Sequence, residues 1–255
     1  MIRLGVCTGP ANVDKVAQIG FDYIEFGLAS IAAMTEEEFN ALAQKMDESP
    51  IKAEAYNGML PASVPVTGPN VNASQQHEYL ELAFSRGAAI GVKLVVFGSG
   101  GARAVPEGWS FARAWRQLTD FLELAAEYAE KYDIVIALEP LRSSECNILN
   151  YVSEGTALCG IVNHPYITVL GDFFHMYLGS EPWEHLARAG EKLSHIHICN
   201  PVGRLFPAVG DGFDYESVIK VLKDMGYKGD ISVEASAKDL EKDSYAAAEA
   251  IKPLL

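Results

Sequence analysis

The segment Ile134-Val-Ile-Ala-Leu-Glu-Pro140 shows the pattern on which the fold depends, a short apolar run that stops at a carboxylate. A run of this length and β-branched content is typical of a strand buried on both faces. Three later apolar runs carry a potential metal ligand at their ends, namely Asp172, His197 and Glu234. The gaps between the four residues are 33, 25 and 37 residues, each close to one strand-plus-helix unit of ~30 residues.

The same alternation of apolar runs and helical segments extends over the whole chain. Thr35 and Glu38 form a capping box at the start of one helical segment. Glycines at positions 20, 91 and 226 stand between a helical segment and the next run, where they suit a helix C-cap. The alternation predicts a parallel sheet covered by helices. Predicted strands are 2–6, 23–26, 51–55, 94–97, 134–138, 167–170, 195–198 and 231–233; predicted helical segments include 73–90, 111–132, 217–225 and 245–254.

Eight strands in 255 residues predict an α/β fold, a single (β/α)8 TIM barrel that forms one domain over residues 1–255. A doubly wound open sheet is the competing architecture, and it is disfavoured because no Gly-x-Gly-x-x-Gly follows the first strand. Residues 2–6 are predicted to be that first strand and not part of a signal peptide, since no small-residue cleavage site follows.

Composition excludes several classes of partner. The formal net charge of −14 argues against nucleic acid, which is bound by clustered lysines and arginines. No apolar run reaches the ~18–20 residues of a membrane span, so no membrane association is expected. The four cysteines, at positions 7, 146, 159 and 199, form no Cys-x-x-Cys pair. A reducing cytoplasm is therefore the expected compartment.

The four strand-end residues predict a metal site, because the carboxyl ends of barrel strands meet at one mouth. Three carboxylates brought together by Glu139, Asp172 and Glu234 repel one another without a counter-charge, which one divalent cation would supply. Oxygen ligands with one imidazole, His197, favour Mn²⁺, while Mg²⁺, Co²⁺ and Zn²⁺ remain open. His195 lies two residues earlier on the same strand face and could hydrogen-bond a ligand from a deeper layer. No other cofactor is predicted.

Two further features lie beside this predicted mouth, and each has two interpretations. His175 follows Asp172 by three residues, so it could bind a substrate hydroxyl or transfer a proton, or could begin a helix in solvent. The segment Gly98-Ser-Gly-Gly-Ala-Arg103 could form a backbone nest for an anion, or a turn whose glycines give the substrate room.

Four stretches resemble the xylose isomerase-like barrel superfamily, in its sugar phosphate isomerase/epimerase branch, which includes ketose 3-epimerases and hydroxypyruvate isomerases. They are Glu139-Pro-Leu-Arg142 with Glu145, Asp172-Phe-Phe-His175, His195-Ile-His197-Ile and Val233-Glu234. The resemblance covers most of the chain. It implies that Glu139 and Glu234 are also the catalytic acid/base pair, and that Glu145, His175 and Arg204 contact a small carbohydrate substrate. It further implies a homo-oligomer, either a dimer or a tetramer.

The expected function is that of a metal-dependent isomerase or epimerase acting on a small sugar, sugar phosphate or hydroxy-ketone. A carboxylate would remove a proton beside the carbonyl to give an enediolate. Return of the proton to the opposite face gives an epimer, and return to the neighbouring carbon interconverts an aldose and a ketose. An inosose-type dehydratase, a metal-dependent hydrolase and a non-catalytic sugar binder are the alternatives, because one scaffold serves many reactions.

Overall fold

Eight parallel strands close into a barrel in the order in which they occur along the chain, with β8 paired to β1. The structure is a computed structural model and describes residues 2–255. This topology confirms the predicted (β/α)8 barrel. The strands are β1 (Leu4–Cys7), β2 (Tyr23–Gly27), β3 (Ala53–Asn57), β4 (Leu94–Phe97), β5 (Val135–Leu138), β6 (Ile167–Asp172), β7 (Leu193–Ile198) and β8 (Asp230–Val233).

Helices connect the successive strands and cover the outside of the barrel. They are α1 (Val13–Ile19), α2 (Leu28–Ala32), α3 (Glu36–Glu48), α4 (Ala73–Ala89), α5 (Gly100–Arg103), α6 (Phe111–Tyr132), α7 (Val152–Val162), α8 (Phe173–Leu178), α9 (Glu184–Ala189), α10 (Tyr215–Asp224) and α11 (Leu240–Ile251). Over residues 2–255, none of the helices is both long enough and apolar enough to span a bilayer.

Side-chain caps set the ends of several helices. The predicted capping box is confirmed, because Glu38 N donates to Thr35 Oγ1 and Thr35 N donates to the Glu38 carboxylate. Helices α10 and α11 begin two and five residues earlier than the predicted segments 217–225 and 245–254. Asp214 and Asp239 cap them, each accepting a hydrogen bond from the backbone N–H three residues later. The caps therefore override the apolar periodicity from which the starts were predicted.

The barrel interior is divided into an apolar side and a polar side. Outward residues such as Ile24 and Phe26 belong to the large core between sheet and helices. Inside the barrel, β4, β5 and β6 contribute a small apolar cluster of Val96, Ala137 and Leu170. The interior positions of β2, β7 and β8 carry buried polar side chains instead, namely Tyr23, Glu25, His195, His197 and Ser232. The candidate site lies at the carboxyl end of this divided interior.

Candidate metal centre

The four residues predicted as metal ligands converge at the mouth of the barrel. Glu139 follows β5, Asp172 ends β6, His197 lies in β7 and Glu234 follows β8. One ligand atom from each lies within 4.8 Å of the ligand atoms of all the others. Nδ1 of His197 is 3.0 Å from Glu234 Oε2, 3.3 Å from Glu139 Oε1 and 3.9 Å from Asp172 Oδ2.

These separations suit one divalent ion. An octahedral ion with ligand distances of ~2.1 Å holds neighbouring donors ~3 Å apart and opposite donors ~4 Å apart. The distances from His197 Nδ1 to the three carboxylates lie in that range. The donor set, three carboxylates and one imidazole, also fits a hard or borderline divalent cation. Both geometry and chemistry therefore permit these residues to hold a metal.

The charges at the site show the same need for a cation. Burial and the neighbouring carboxylates of Glu139 and Glu234 raise the pKa of Asp172 well above its usual range. Burial would also raise the pKa of Glu234, but the charges of His197 and Arg204 outweigh it and lower that pKa to about 2. Burial disfavours charged His197, yet Glu25 and Glu234 raise its pKa well above the usual value. Arg204 and the imidazole of His197 thus face a cluster of carboxylates whose negative charge a divalent ion would balance more fully.

Local backbone structure explains how two of the carboxylates reach the site. Asp172 caps α8, with Oδ1 accepting hydrogen bonds from Phe174 N at 2.6 Å and His175 N at 3.2 Å. This fixes the carboxyl group and leaves Oδ2 facing the other ligands. Gly98 follows β4 beside Glu139, and a Cβ at that position would lie 2.0 Å from Glu139 Oε2. The glycine therefore gives room to the carboxylate of Glu139.

Arg103 lies under this part of the mouth. Its guanidinium is fully buried and donates to the carbonyl oxygens of Phe97 and Glu139, each at 2.7 Å. It thereby joins the carboxyl ends of β4 and β5. The side chain of Arg103 is used in this internal support, so it is turned away from any anion at the Gly98–Arg103 segment.

Of the predicted substrate-binding residues, His175 lies beside the ligands, and Glu145 is paired with Arg142, the residue that contacts His175. His175 is buried and does not face solvent, with Nε2 at 3.8 Å from Asp172 Oδ2 and 4.0 Å from Glu139 Oε1. Its Nδ1 accepts a hydrogen bond from Arg142 N at 3.3 Å, so the ring hydrogen resides on Nε2 and points into the site. Burial lowers the pKa of His175, which favours this neutral donor. Glu145 accepts from Arg142 Nε at 2.6 Å on the rim and is partly exposed.

Arg204, the third predicted substrate-binding residue, reaches into the site from the loop after β7. Its Nη2 is 2.6 Å from Glu234 Oε2 and 3.5 Å from Asp172 Oδ2. The backbone of Arg204 has a φ of 51°, in the left-handed region that costs a non-glycine residue energy. Asp211 stabilises the same loop by accepting hydrogen bonds from the N–H groups of Ala208 and Phe213. The backbone of Arg204 itself is held by its carbonyl oxygen, which accepts a hydrogen bond from Ser236 N at 2.7 Å.

Glu25 belongs to the site but is not among the residues predicted from the sequence. It is fully buried on β2, where Oε1 accepts from His197 Nε2 and Oε2 from His195 Nε2, both at 3.0 Å. His195 was expected to hydrogen-bond a ligand, and it reaches His197 only through Glu25. A signal was available, because Tyr-Ile-Glu-Phe places an acid within a buried strand, where an ionised group needs a partner.

Comparison with known proteins gives a family match over nearly the whole chain. A family model described as xylose isomerase-like TIM barrel matches residues 13–254. A D-psicose 3-epimerase of Ruminiclostridium cellulolyticum is 24% identical over 232 residues, covering 87% of this chain and 76% of that protein. A probable ketose 3-epimerase of Synechocystis sp. is 30% identical over 120 residues, covering 47% of this chain. The match spans only 41% of the length of the Synechocystis protein.

Solved structures share the fold. D-allulose 3-epimerase from Methylomonas sp., in complex with D-allulose, superposes with a TM-score of 0.86 at 22% identity, covering 100% of this chain and 97% of that one. The IOLI protein with a bound zinc atom superposes with a TM-score of 0.74 at 20% identity, covering 99% and 98% of the two chains.

Proposed function

This chain belongs to the xylose isomerase-like TIM barrel family, and we propose that it is a metal-dependent ketose epimerase. The observation that carries the proposal is the pair of glutamates that both lie close to one imidazole nitrogen. Glu139 and Glu234 lie 3.3 and 3.0 Å from His197 Nδ1, on strands separated by β6 and β7. The curated relatives, which include a D-psicose 3-epimerase and a fructoselysine 3-epimerase, support epimerisation over dehydration, hydrolysis or simple sugar binding.

Glu139, Asp172, His197 and Glu234 would hold the ion, which would act as a Lewis acid towards the substrate carbonyl. Mn²⁺ is our choice, on the strength of the oxygen-rich donor set. Glu139 and Glu234 would transfer the proton on the carbon next to the carbonyl. One removes it from one face of the substrate and the other returns a proton to the opposite face. Because epimerisation is reversible, each glutamate serves as the base in one direction.

The surrounding residues would bind and orient the sugar. His175 presents a neutral Nε2–H beside Asp172 and Glu139, which suits donation to a substrate oxygen. Arg204 contacts Glu234 and would donate to the substrate oxygen that gains charge in the reaction. Glu145, paired with Arg142 at the rim, offers an acceptor for hydroxyls at the far end of the sugar. This mixture of donors and acceptors supports a small carbohydrate as the substrate.

The experiment follows protons during turnover. Metal-loaded protein is incubated in heavy water with D-fructose or D-psicose, and the products are analysed by NMR and mass spectrometry. We expect the C3 epimer to carry one solvent deuteron at C3, with no loss of water. Glu139→Gln and Glu234→Gln should each abolish turnover while the thermal unfolding temperature changes little. A product lighter by one water would indicate a dehydratase, and metal binding without turnover over a ketose panel would indicate a non-catalytic protein.

The cellular setting is also part of the proposal. All four cysteines are free thiols, which supports the reducing cytoplasm as the compartment. We further propose that residues 1–255 form a single domain. We assign a dimer or tetramer as the assembly. Cell fractionation tests the compartment, and light scattering of purified protein tests the assembly.

A further inference from the structure

Glu25 occupies a position from which it can control the metal ligand His197. It projects from β2 into the barrel, below the mouth and across from β7. Its two carboxylate oxygens accept hydrogen bonds from two different histidines, His195 and His197, at 3.0 Å each. All three side chains are buried, so no water is needed to complete the contacts.

These contacts determine which ring nitrogen of His197 can bind a metal. An ionised carboxylate has acceptors only, so Nε2 of His195 and Nε2 of His197 must both carry hydrogen. The remaining nitrogen of His197, Nδ1, is the one that lies 3.0 Å from Glu234 and 3.3 Å from Glu139. The carboxylate therefore fixes both the orientation of the ring and its hydrogen.

We propose that Glu25 is a positioning residue that holds His197 with Nδ1 towards the ion, and that His195 holds Glu25 in turn. The inference rests on the proposed function, since it requires a metal on Glu139, Asp172, His197 and Glu234. Glu25 is not itself a ligand of that ion, because its contact is with the opposite ring nitrogen.

A competing arrangement uses the other side of the ring. Cys7, Glu25 and His197 also offer ligand atoms within 4.8 Å of one another. A metal there would need Nε2 of His197, which already donates to Glu25. Burial and the charge of Glu25 raise the pKa of the Cys7 thiol, which disfavours the thiolate that a metal would require. The structure therefore favours the mouth over this second position.

The test measures metal affinity. Glutamine has one acceptor oxygen and one donor group, so Glu25→Gln can accept from only one of the two histidines. We expect its Kd for Mn²⁺, measured by titration calorimetry, to rise about 10- to 100-fold. Tyr23→Phe is the matched control, because the Tyr23 hydroxyl makes a buried interior hydrogen bond to Ser232 and none to His197. Its Kd should stay within about twofold of the wild type. His195→Gln leaves Glu25 and His197 in place and should weaken binding less than Glu25→Gln.

Imidazole ¹⁵N spectra of the Zn²⁺-loaded wild type give a readout that does not depend on activity or on the folding of any variant. We expect the hydrogen of His197 on Nε2 and the metal on Nδ1, and the opposite assignment would overturn the proposal. Equal Mn²⁺ affinities of Glu25→Gln and Tyr23→Phe would overturn it as well. A wild type that binds metal but turns over no ketose would refute the proposed function alone. A wild type that binds no divalent metal would refute both.

Discussion

Replacing Gly98 by alanine should separate the stability of the barrel from the function of its mouth. An alanine Cβ at position 98 would lie 2.0 Å from Glu139 Oε2, whereas Cβ contacts under 3.0 Å are essentially never seen. The carboxylate must therefore move by at least about 1 Å, a displacement that costs a catalytic group ~100-fold in rate. The atom that moves is the far end of a flexible side chain, so the stability cost should stay at about 0.5–1.5 kcal/mol, the cost of a distorted rotamer.

The assays are kcat/KM on D-psicose, the Kd for Mn²⁺ and urea unfolding of the metal-free protein. Gly101→Ala is the control, because it adds the same methyl group in the same Gly98–Arg103 segment and meets only Ala62 Cβ, at 3.2 Å. We expect Gly98→Ala to lose about 100-fold in kcat/KM and to bind Mn²⁺ more weakly, while Gly101→Ala retains both properties. Gly98→Ala protein with a kcat/KM within threefold of wild type would refute the assigned position of Glu139.

Three further predictions concern the supports of the site. Arg204→Met should bind Mn²⁺ at least as tightly as wild type, because a competing cation is removed, yet lose about 10- to 100-fold in kcat/KM, the value of a charged hydrogen bond; weaker Mn²⁺ binding would contradict this. Arg103→Met leaves the buried carbonyl oxygens of Phe97 and Glu139 without a hydrogen-bond donor. It should therefore lower the free energy of unfolding by about 2–4 kcal/mol, and an unchanged urea midpoint would contradict this. Burial would raise the pKa of Asp211, but hydrogen bonds from Tyr215 and the backbone outweigh burial and lower it. The stabilising contribution of Asp211 is therefore fully present above the ordinary carboxyl pKa of about 4. It fades as the pH falls through the lowered pKa. The difference in Tm between wild type and Asp211→Asn should accordingly shrink from pH 7 to pH 3. A constant difference would show that ionisation of Asp211 contributes nothing to stability.

Much of the fold is predictable from the sequence because the barrel repeats one local pattern. The predicted strand 94–97 and helix 111–132 have the bounds that the structure shows for β4 and α6. In both elements, the apolar pattern in the sequence begins and ends at the same residues as the element itself. Strand ends also locate the four converging residues, because parallel strands in a closed barrel deliver their carboxyl ends to the same mouth.

The remaining parts of the site depend on closure of the barrel and on the loops. Glu25 and His197 are 172 residues apart in the chain and meet only because β8 pairs with β1. No periodicity encodes that contact. Arg204 reaches Glu234 through a left-handed backbone at a non-glycine residue, a conformation that residue preferences disfavour. Both features are set by tertiary structure and follow from no local pattern.

The division of the barrel interior explains how one mouth can hold three carboxylates. On the side of β4–β6, Val96, Ala137 and Leu170 form an apolar floor, where low polarity would strengthen the attraction between the carboxylates and a divalent ion. On the side of β2 and β7, the same depth is occupied by Glu25 and the histidines that it joins. A wholly apolar interior would leave Nε2 of His197 without a hydrogen-bond partner. A wholly polar interior would admit water, which would weaken the attraction between the carboxylates and a cation. The two halves thus meet different requirements of the same site.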